Sequence, residues 1–191
     1  KYGIQNITVF YTEPKSYLFT QGLFNTFHTS SGPLSILEMP GYPGLELRGS
    51  KRKLIILLGF DGDLSKEINE DVSPNDTIVV NGFPSYTPKF KDISLIANEK
   101  LVSDQNISIR YARANNPFEV YNLLKTIKNE EKGDFFLNIA PLGTKPMALG
   151  ACLFALHNPE VRIVYPLPEF YDNKYSDMSW NSWLYELPLT N

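Results

Sequence analysis

Short runs of apolar residues, each bounded by turn-forming residues, most constrain what this chain can fold into. The clearest is Leu54-Ile-Ile-Leu-Leu58, which lies between a basic tripeptide and Gly59. A run this short, with no polar face, is typical of a strand covered on both sides in a parallel sheet. Similar patterns predict further strands at residues 7–11, 77–81, 106–111, 135–139 and 161–165, and a short or edge strand at residues 34–39.

The segments between these runs have helical patterns. We predict helices at residues 17–27, 64–70 and 93–101, and two more after Asn116 and Thr144. Asn116 is the expected N-cap, Pro117 the first helical residue, and Glu119 the partner that completes a capping box. Strands that alternate with helices predict an α/β fold: a Rossmann-like three-layer sandwich with a mostly parallel central sheet.

The composition changes near residue 166. We assign residues 1–165 to the Rossmann-like domain and residues 166–191 to a C-terminal extension rich in Tyr and Trp. Such aromatic side chains bury large areas, so we expect the extension to pack on the same domain, with residues 182–187 as an antiparallel strand. An aromatic surface for a ligand or partner is the alternative.

The segment from Asp134 to Leu156 is the best candidate for a site. It reads as a strand, a tight turn ending at Gly143, and an apolar helix. Thr144 is placed to cap this helix through its hydroxyl group, and Pro146 is tolerated in the first turn. The helix start offers backbone amides and a positive dipole end beside Lys145, which together predict an anion site. The alternative is a simple turn and cap with a solvated lysine, and the spacing is neither Walker A nor the dinucleotide fingerprint.

Residues 142–149, Leu-Gly-Thr-Lys-Pro-Met-Ala-Leu, resemble the Gly-Gly-Thr-Lys-Pro-Met-Ala segment of CRISPR-associated Rossmann-fold (CARF) domains. The resemblance implies a sensory or regulatory domain whose loop faces a cyclic oligoadenylate, usually across a homodimer. It implies that Gly143, Thr144 and Lys145 contact the ligand and that Met147 packs behind them. Leu142 stands at the first glycine of the family segment.

Other loops are expected at the same edge of the sheet. Right-handed crossovers bring the carboxyl ends of parallel strands together, so residues 11–15, 59–63, 81–85, 114–117 and 140–145 should share one rim. Phe83 and Tyr86 are candidates to stack on a base. The candidate ligand-binding side chains on the other loops are Thr12, Glu13, Asn81 and Asn116.

Asp61-Gly-Asp63 supports a rival hypothesis. With Ser65 it resembles the Asp-x-Asp-x-Thr/Ser motif of haloacid dehalogenase phosphatases, which implies an aspartyl nucleophile assisted by magnesium. A nucleotide-sugar transferase that holds a divalent ion with both carboxylates is a related alternative. A turn with solvated carboxylates is the third interpretation. We therefore assign no catalytic residue, metal site or cofactor, and favour ligand binding over catalysis.

Charge and composition narrow the expected partners. The formal net charge is −3, with 18 Lys and Arg against 21 Asp and Glu, which argues against binding to duplex nucleic acid. The single cysteine, Cys152, excludes an intrachain disulfide and suits a reducing compartment. The longest apolar run, residues 147–156, is too short to span a bilayer. We expect a cytoplasmic protein, not membrane-bound, that binds a small phosphate-bearing ligand and works as a homodimer or with a fused effector domain.

Overall fold

The computed structural model describes residues 5–17, 30–31, 35–130, 133–167, 170–171 and 176–189. The strands are, in chain order, β1 (Asn6–Tyr17), β2 (Ser30–Ser31), β3 (Ser35–Pro43), β4 (Lys51–Leu57), β5 (Asp76–Gly82), β6 (Ile107–Ala112), β7 (Phe135–Pro141), β8 (Arg162–Leu167), β9 (Phe170–Tyr171) and β10 (Ser176–Pro188). The helices are α1 (Gly62–Val72), α2 (Pro88–Ala97), α3 (Glu99–Val102), α4 (Pro117–Glu130) and α5 (Lys145–His157). None of the helices in these residues is long and apolar enough to cross a membrane.

A six-stranded sheet forms the centre of a mixed α/β fold. Its order is β3-β8-β7-β4-β5-β6, and every neighbouring pair is parallel except β3 with β8. The apolar run at residues 54–58 is therefore a central strand, as predicted, and the predicted edge strand at residues 34–39 is the antiparallel edge β3. The prediction of a mostly parallel sheet is confirmed.

Apolar side chains of β4 alternate between two separate clusters. Ile55 and Leu57 belong to a cluster with Leu124 of α4 and Phe154 of α5. Leu54 and Ile56 belong to a second cluster, which contains Ile68 of α1 and Leu101 of α3. Because successive side chains of a strand point to opposite faces, both faces of the sheet are covered by helices. This explains why the strand has no polar residue between positions 54 and 58.

The first predicted strand is a strand, but its expected place in the central sheet is wrong. β1 pairs antiparallel with β10 in a separate two-stranded ribbon, from Asn6 opposite Pro188 to Tyr17 opposite Ser176. The physical reason is its alternation: Val9 packs inward, whereas Phe10 is 70% exposed. One buried and one exposed face suit an antiparallel ribbon better than a central parallel strand.

The ribbon β1–β10 packs on the helices beside the sheet. Tyr185 and Leu187 are buried against Leu153 of α5, and Tyr121 of α4 packs against the same cluster. The antiparallel strand predicted at residues 182–187 is therefore confirmed as part of β10.

Of two further helix predictions, one lies almost wholly outside the described residues and the other differs from the structure. The predicted helix at residues 17–27 lies outside the described residues after Tyr17, which ends β1. The predicted helix at residues 93–101 is divided into α2 and α3 at Asn98. The Asn98 amide group donates hydrogen bonds to the carbonyl oxygens of Ser94 (2.8 Å) and Gly59 (3.0 Å). These bonds anchor the break between the helices to the loop after β4.

Candidate ligand-binding site

A cavity of about 840 Å³ lies at the carboxyl ends of β4, β5 and β7. All five loop segments predicted to share a rim contribute to its wall, although residues 114–117 contribute only Ala114. The first of these segments reaches the cavity from the ribbon β1–β10 instead of from a loop of the central sheet. The cavity therefore forms between the central sheet, the start of α5 and the ribbon.

The turn between β7 and α5 is held in place by the hydroxyl group of Thr144. This hydroxyl accepts a hydrogen bond from the backbone N–H of Met147 (3.4 Å), so the predicted N-cap is confirmed. The same hydroxyl donates to the carbonyl oxygen of Ala114, in the loop after β6. Because its only hydrogen is used there, the Thr144 side chain cannot donate to an anion. Thr144 would contact a ligand through its backbone.

The start of α5 presents backbone N–H groups that have no partner among the described residues. The N–H groups of Gly143, Thr144 and Lys145 donate to no other residue of that part of the chain, and Pro146 has no N–H. They open the 13-residue helix α5, whose positive dipole end favours negative charge. Lys145 is exposed at the cavity and forms no ion pair with another described residue. A helix start of this kind is suited to an anion, because its free N–H donors and the helix dipole both favour negative charge.

Gly143 and Met147 fix how closely this turn packs. A Cβ atom on Gly143 would lie 3.1 Å from the Met147 sulfur and 3.3 Å from the Leu58 carbonyl oxygen, which is tight for a side chain. Met147 is fully buried behind the turn, as the family resemblance implied. A glycine at position 143 therefore lets the turn lie against the end of β4.

A buried carboxylate, Glu13, lies on another wall of the cavity. Only 2% of this residue is exposed. Its Oε1 accepts a hydrogen bond from the side-chain amide of Asn181 (2.8 Å), whereas its Oε2 has no hydrogen-bond partner among the described residues. Thr12, next to it, also lines the cavity, and its hydroxyl pairs with that of Ser182 at 2.8 Å. The structure thus brings the predicted residues Thr12 and Glu13 to the same cavity as Gly143, Thr144 and Lys145.

Three tyrosines lie close together near Glu13. The Tyr185 hydroxyl donates to the Asn115 carbonyl oxygen (2.7 Å). Burial, and then the neighbouring Tyr11 and Glu13, raise the pKa of Tyr185 to about 12. Burial also raises the pKa of Tyr86 far above its ordinary value, with smaller contributions from Tyr11 and Tyr185. These phenols therefore stay protonated at neutral pH, and Tyr11 and Tyr86 line the cavity itself.

The two predicted asparagines have structural hydrogen bonds. Asn81 lines the cavity, and its side-chain amide donates to the Lys91 carbonyl oxygen of α2 (3.0 Å). Asn116 does not line the cavity, so its placement at the ligand is not supported. Its Oδ1 caps α4 by accepting from the N–H groups of Phe118 (3.0 Å) and Glu119 (3.2 Å).

The predicted capping box at α4 is wrong in its second half. Glu119 Oε1 accepts from the backbone N–H of Arg113 (3.0 Å), not from that of Asn116. Glu119 Oε2 also lies 3.3 Å from the Arg113 guanidinium, and this ion pair draws the carboxylate to residue 113.

Phe83 and Tyr86 have different surroundings. Tyr86 lines the cavity, whereas Phe83 does not and is 50% exposed. The Phe83 ring contacts Tyr111 edge-to-face, and the Lys91 ammonium lies 5.4 Å from its centre. Of these two predicted stacking residues, only Tyr86 is placed to contact a ligand in the cavity.

The carboxylates of Asp61 and Asp63 do not converge. Asp61 lines the cavity and caps α1 by accepting from the Leu64 N–H (3.3 Å). Asp63 does not line the cavity, and its carboxylate lies 3.4 Å from the Lys100 ammonium. In the described part of the chain, no group of three or more His, Cys, Asp or Glu residues is placed to hold a metal ion.

Several cavity residues were not predicted as site residues from the sequence. They come from β3, β8, β10 and the interior of α5: Tyr42, Tyr165, Met178, Ser179 and Cys152. No motif marks these positions, because they meet only through strand pairing and helix packing. Cys152 is half-buried, and burial raises the pKa of its thiol.

Comparison of the sequence with protein-family models and with curated proteins finds no match. A function for this chain is therefore inferred from the geometry of the cavity and from the short motif at residues 142–149.

Proposed function

We propose that this protein is a sensory or regulatory domain that binds a nucleotide-type, phosphate-bearing ligand in the cavity. The observation that carries the proposal is the start of α5, where the N–H groups of Gly143, Thr144 and Lys145 have no partner among the described residues and the exposed Lys145 lines the cavity. A phosphate is the group that best satisfies adjacent backbone donors at a helix N-terminus.

The position of the cavity supports this proposal. In open parallel sheets with helices on both faces, ligands bind in the crevice at the carboxyl ends of the strands. The two apolar clusters on opposite faces of β4 are what a Rossmann-like three-layer sandwich requires. We therefore propose that the chain has this Rossmann-like fold.

The size and chemistry of the cavity support a nucleotide over a free phosphate ion. Its volume of about 840 Å³ is within the range of small-molecule sites, far more than one phosphate fills. Tyr11, Tyr86 and Phe90 line it and offer faces or edges to a flat base. The family resemblance at residues 142–149 extends the proposal to a cyclic oligonucleotide, a homodimer or fused effector domain, and a cytoplasmic location.

Calorimetry with adenosine 5′-monophosphate (AMP) and cyclic tetra-adenylate tests the phosphate site. We expect at least one of them to bind, and Lys145→Ala to weaken that binding about 10- to 100-fold, as for a lost charge-assisted hydrogen bond. Lys125→Ala is the matched control, because Lys125 is exposed on α4 and away from the cavity. Equal affinity in the Lys145 variant and wild type, or no binding of either nucleotide, overturns the proposal.

A further inference from the structure

The carboxylate of Glu13 is buried with only half of its hydrogen-bonding capacity used. Asn181 donates to Oε1 (2.8 Å), and Oε2 has no partner in the described part of the chain. None of the lysines, arginines and histidines described there forms an ion pair with Glu13. The nearest cation in sequence, Lys15, instead lies 5.2 Å from the centre of the Trp180 ring. A buried carboxylate oxygen without a donor is destabilising unless something supplies one.

The backbone places Glu13 in this position through an irregularity of the ribbon. The register between β1 and β10 shifts between Thr12 and Pro14, where the single residue Glu13 lies opposite two residues of β10, Trp180 and Asn181. Bulges redirect a side chain and are frequent next to binding sites. The ribbon is otherwise regular from Asn6 to Thr12, so the bulge is local to the cavity wall.

The two walls of the cavity have opposite chemistry. The start of α5 offers N–H donors and an ammonium group, whereas Glu13 offers only an acceptor. A simple anion satisfies the first wall and is repelled by the second. A ligand that satisfies both carries a phosphate and, elsewhere, a hydrogen-bond donor.

We propose that Glu13 is a specificity-determining residue, whose Oε2 accepts one hydrogen bond from an O–H or N–H donor of the bound nucleotide. This inference rests on the proposed function, since it concerns the same ligand. A sugar hydroxyl and the amino group of adenine are the two sources of such a donor. Because Oε1 is already bonded to Asn181, Oε2 is the oxygen left to accept from the ligand.

The test compares the tighter-binding probe, AMP or cyclic tetra-adenylate, with its analogues. One analogue lacks the sugar hydroxyls and the other lacks the 6-amino group of adenine. For wild type we expect one analogue to bind about tenfold or more weakly, as for a lost hydrogen bond to a charged group. In Glu13→Gln the carbonyl oxygen keeps the bond with Asn181, so an NH₂ group replaces Oε2 and opposes the ligand's donor. This variant should bind the parent probe as weakly as wild type binds the discriminated analogue, and should no longer distinguish the two.

Two controls separate recognition from folding. Glu186→Gln makes the same chemical change on the exposed face of β10 and should leave both affinity and discrimination unchanged. Ligand-free Glu13→Gln should melt at the wild-type temperature or above it, because an unpaired buried charge is removed; a merely structural carboxylate would lower that temperature. If the variant is too unstable to assay, the affinities of wild type for the analogues still show whether the cavity recognises a hydrogen-bond donor of the ligand.

The outcomes distinguish this inference from the proposed function. Equal binding of all analogues by wild type, or a Glu13→Gln variant that keeps the discrimination, overturns the role of Glu13 and leaves the phosphate site intact. Lys145→Ala should weaken the binding of the parent probe and of every analogue by a similar factor. The ratio of their affinities should stay as in wild type. If neither parent probe binds wild type, both proposals are overturned.

Discussion

The Tyr185 hydroxyl links the ribbon to the loop before α4. It donates to the Asn115 carbonyl oxygen at 2.7 Å, and the residue is 7% exposed. Burial, with Tyr11 and Glu13 nearby, raises the pKa of Tyr185 to about 12. Because the phenol ionises less readily in the folded chain than in the unfolded chain, its contribution to stability depends on pH.

We expect Tyr185→Phe to lower the free energy of unfolding at pH 8 by about 1 kcal/mol, since it removes one hydrogen bond. Tyrosine in the unfolded chain ionises near pH 10, so the wild-type advantage should be complete below pH 10. It should shrink as the pH rises toward about 12, the folded pKa of Tyr185. Urea unfolding at pH 8, 10 and 11.5 measures the difference between the two proteins. A difference that stays constant across this range would contradict the assignment.

At the scale of one element, the start of α5 combines a hydrogen-bonded cap with neighbouring backbone N–H groups that have no partner among the described residues. The hydroxyl of Thr144 satisfies the Met147 N–H, and it also donates to the Ala114 carbonyl oxygen. The three preceding N–H groups have no such partner among the described residues. The cap therefore holds the helix start in place beside the cavity, which Gly143, Thr144 and Lys145 line.

Replacing Thr144 with the isosteric valine should destabilise the protein by about 1–2 kcal/mol, because a helix cap and a second hydrogen bond are lost together. Thr144→Ser is the matched control: it keeps the hydroxyl and should lose less than about half of that amount. Urea unfolding of both variants provides the comparison. A Thr144→Val variant that is as stable as wild type, or less destabilised than Thr144→Ser, would contradict this role of the hydroxyl group.

At the scale of the whole molecule, the ribbon β1–β10 is attached to the α/β body through buried apolar contacts. Leu187 and Tyr185 pack on Leu153, and Leu184 on the opposite face is 63% exposed. Both tryptophans, Trp180 and Trp183, belong to the ribbon, whereas the helices lie outside it. Fluorescence and circular dichroism thus report on different parts of the fold.

We expect Leu187→Ala to lower the free energy of unfolding by about 2–5 kcal/mol, the usual range for a buried leucine truncation. Leu184→Ala, the same change on the exposed face, should stay within about 0.5 kcal/mol of wild type. If ribbon and body form one cooperative unit, tryptophan fluorescence and far-UV circular dichroism will show coincident unfolding transitions. Separate transitions would contradict the prediction that residues 166–191 pack on the same domain.

The sequence by itself determined those strands and helix ends that are specified by a few neighbouring residues. The apolar run at residues 54–58 is typical of a covered strand, and Thr144 followed by Pro146 was enough to locate the start of α5. Such signals span a few residues, because strand alternation and helix capping are short-range. Together with the parallel strand order, they also predicted that the five rim segments meet at one cavity, although residues 11–15 reach it from the ribbon.

Only the tertiary structure decided which distant residues meet. β1 lies outside the central sheet and pairs with β10, more than 150 positions later, and the register shift opposite Glu13 arises only in that pairing. Likewise, Glu119 bonds to Arg113 because an ion pair competes with the local capping box. Strand partners and the burial of a carboxylate depend on long-range contacts, which no short pattern in the sequence records.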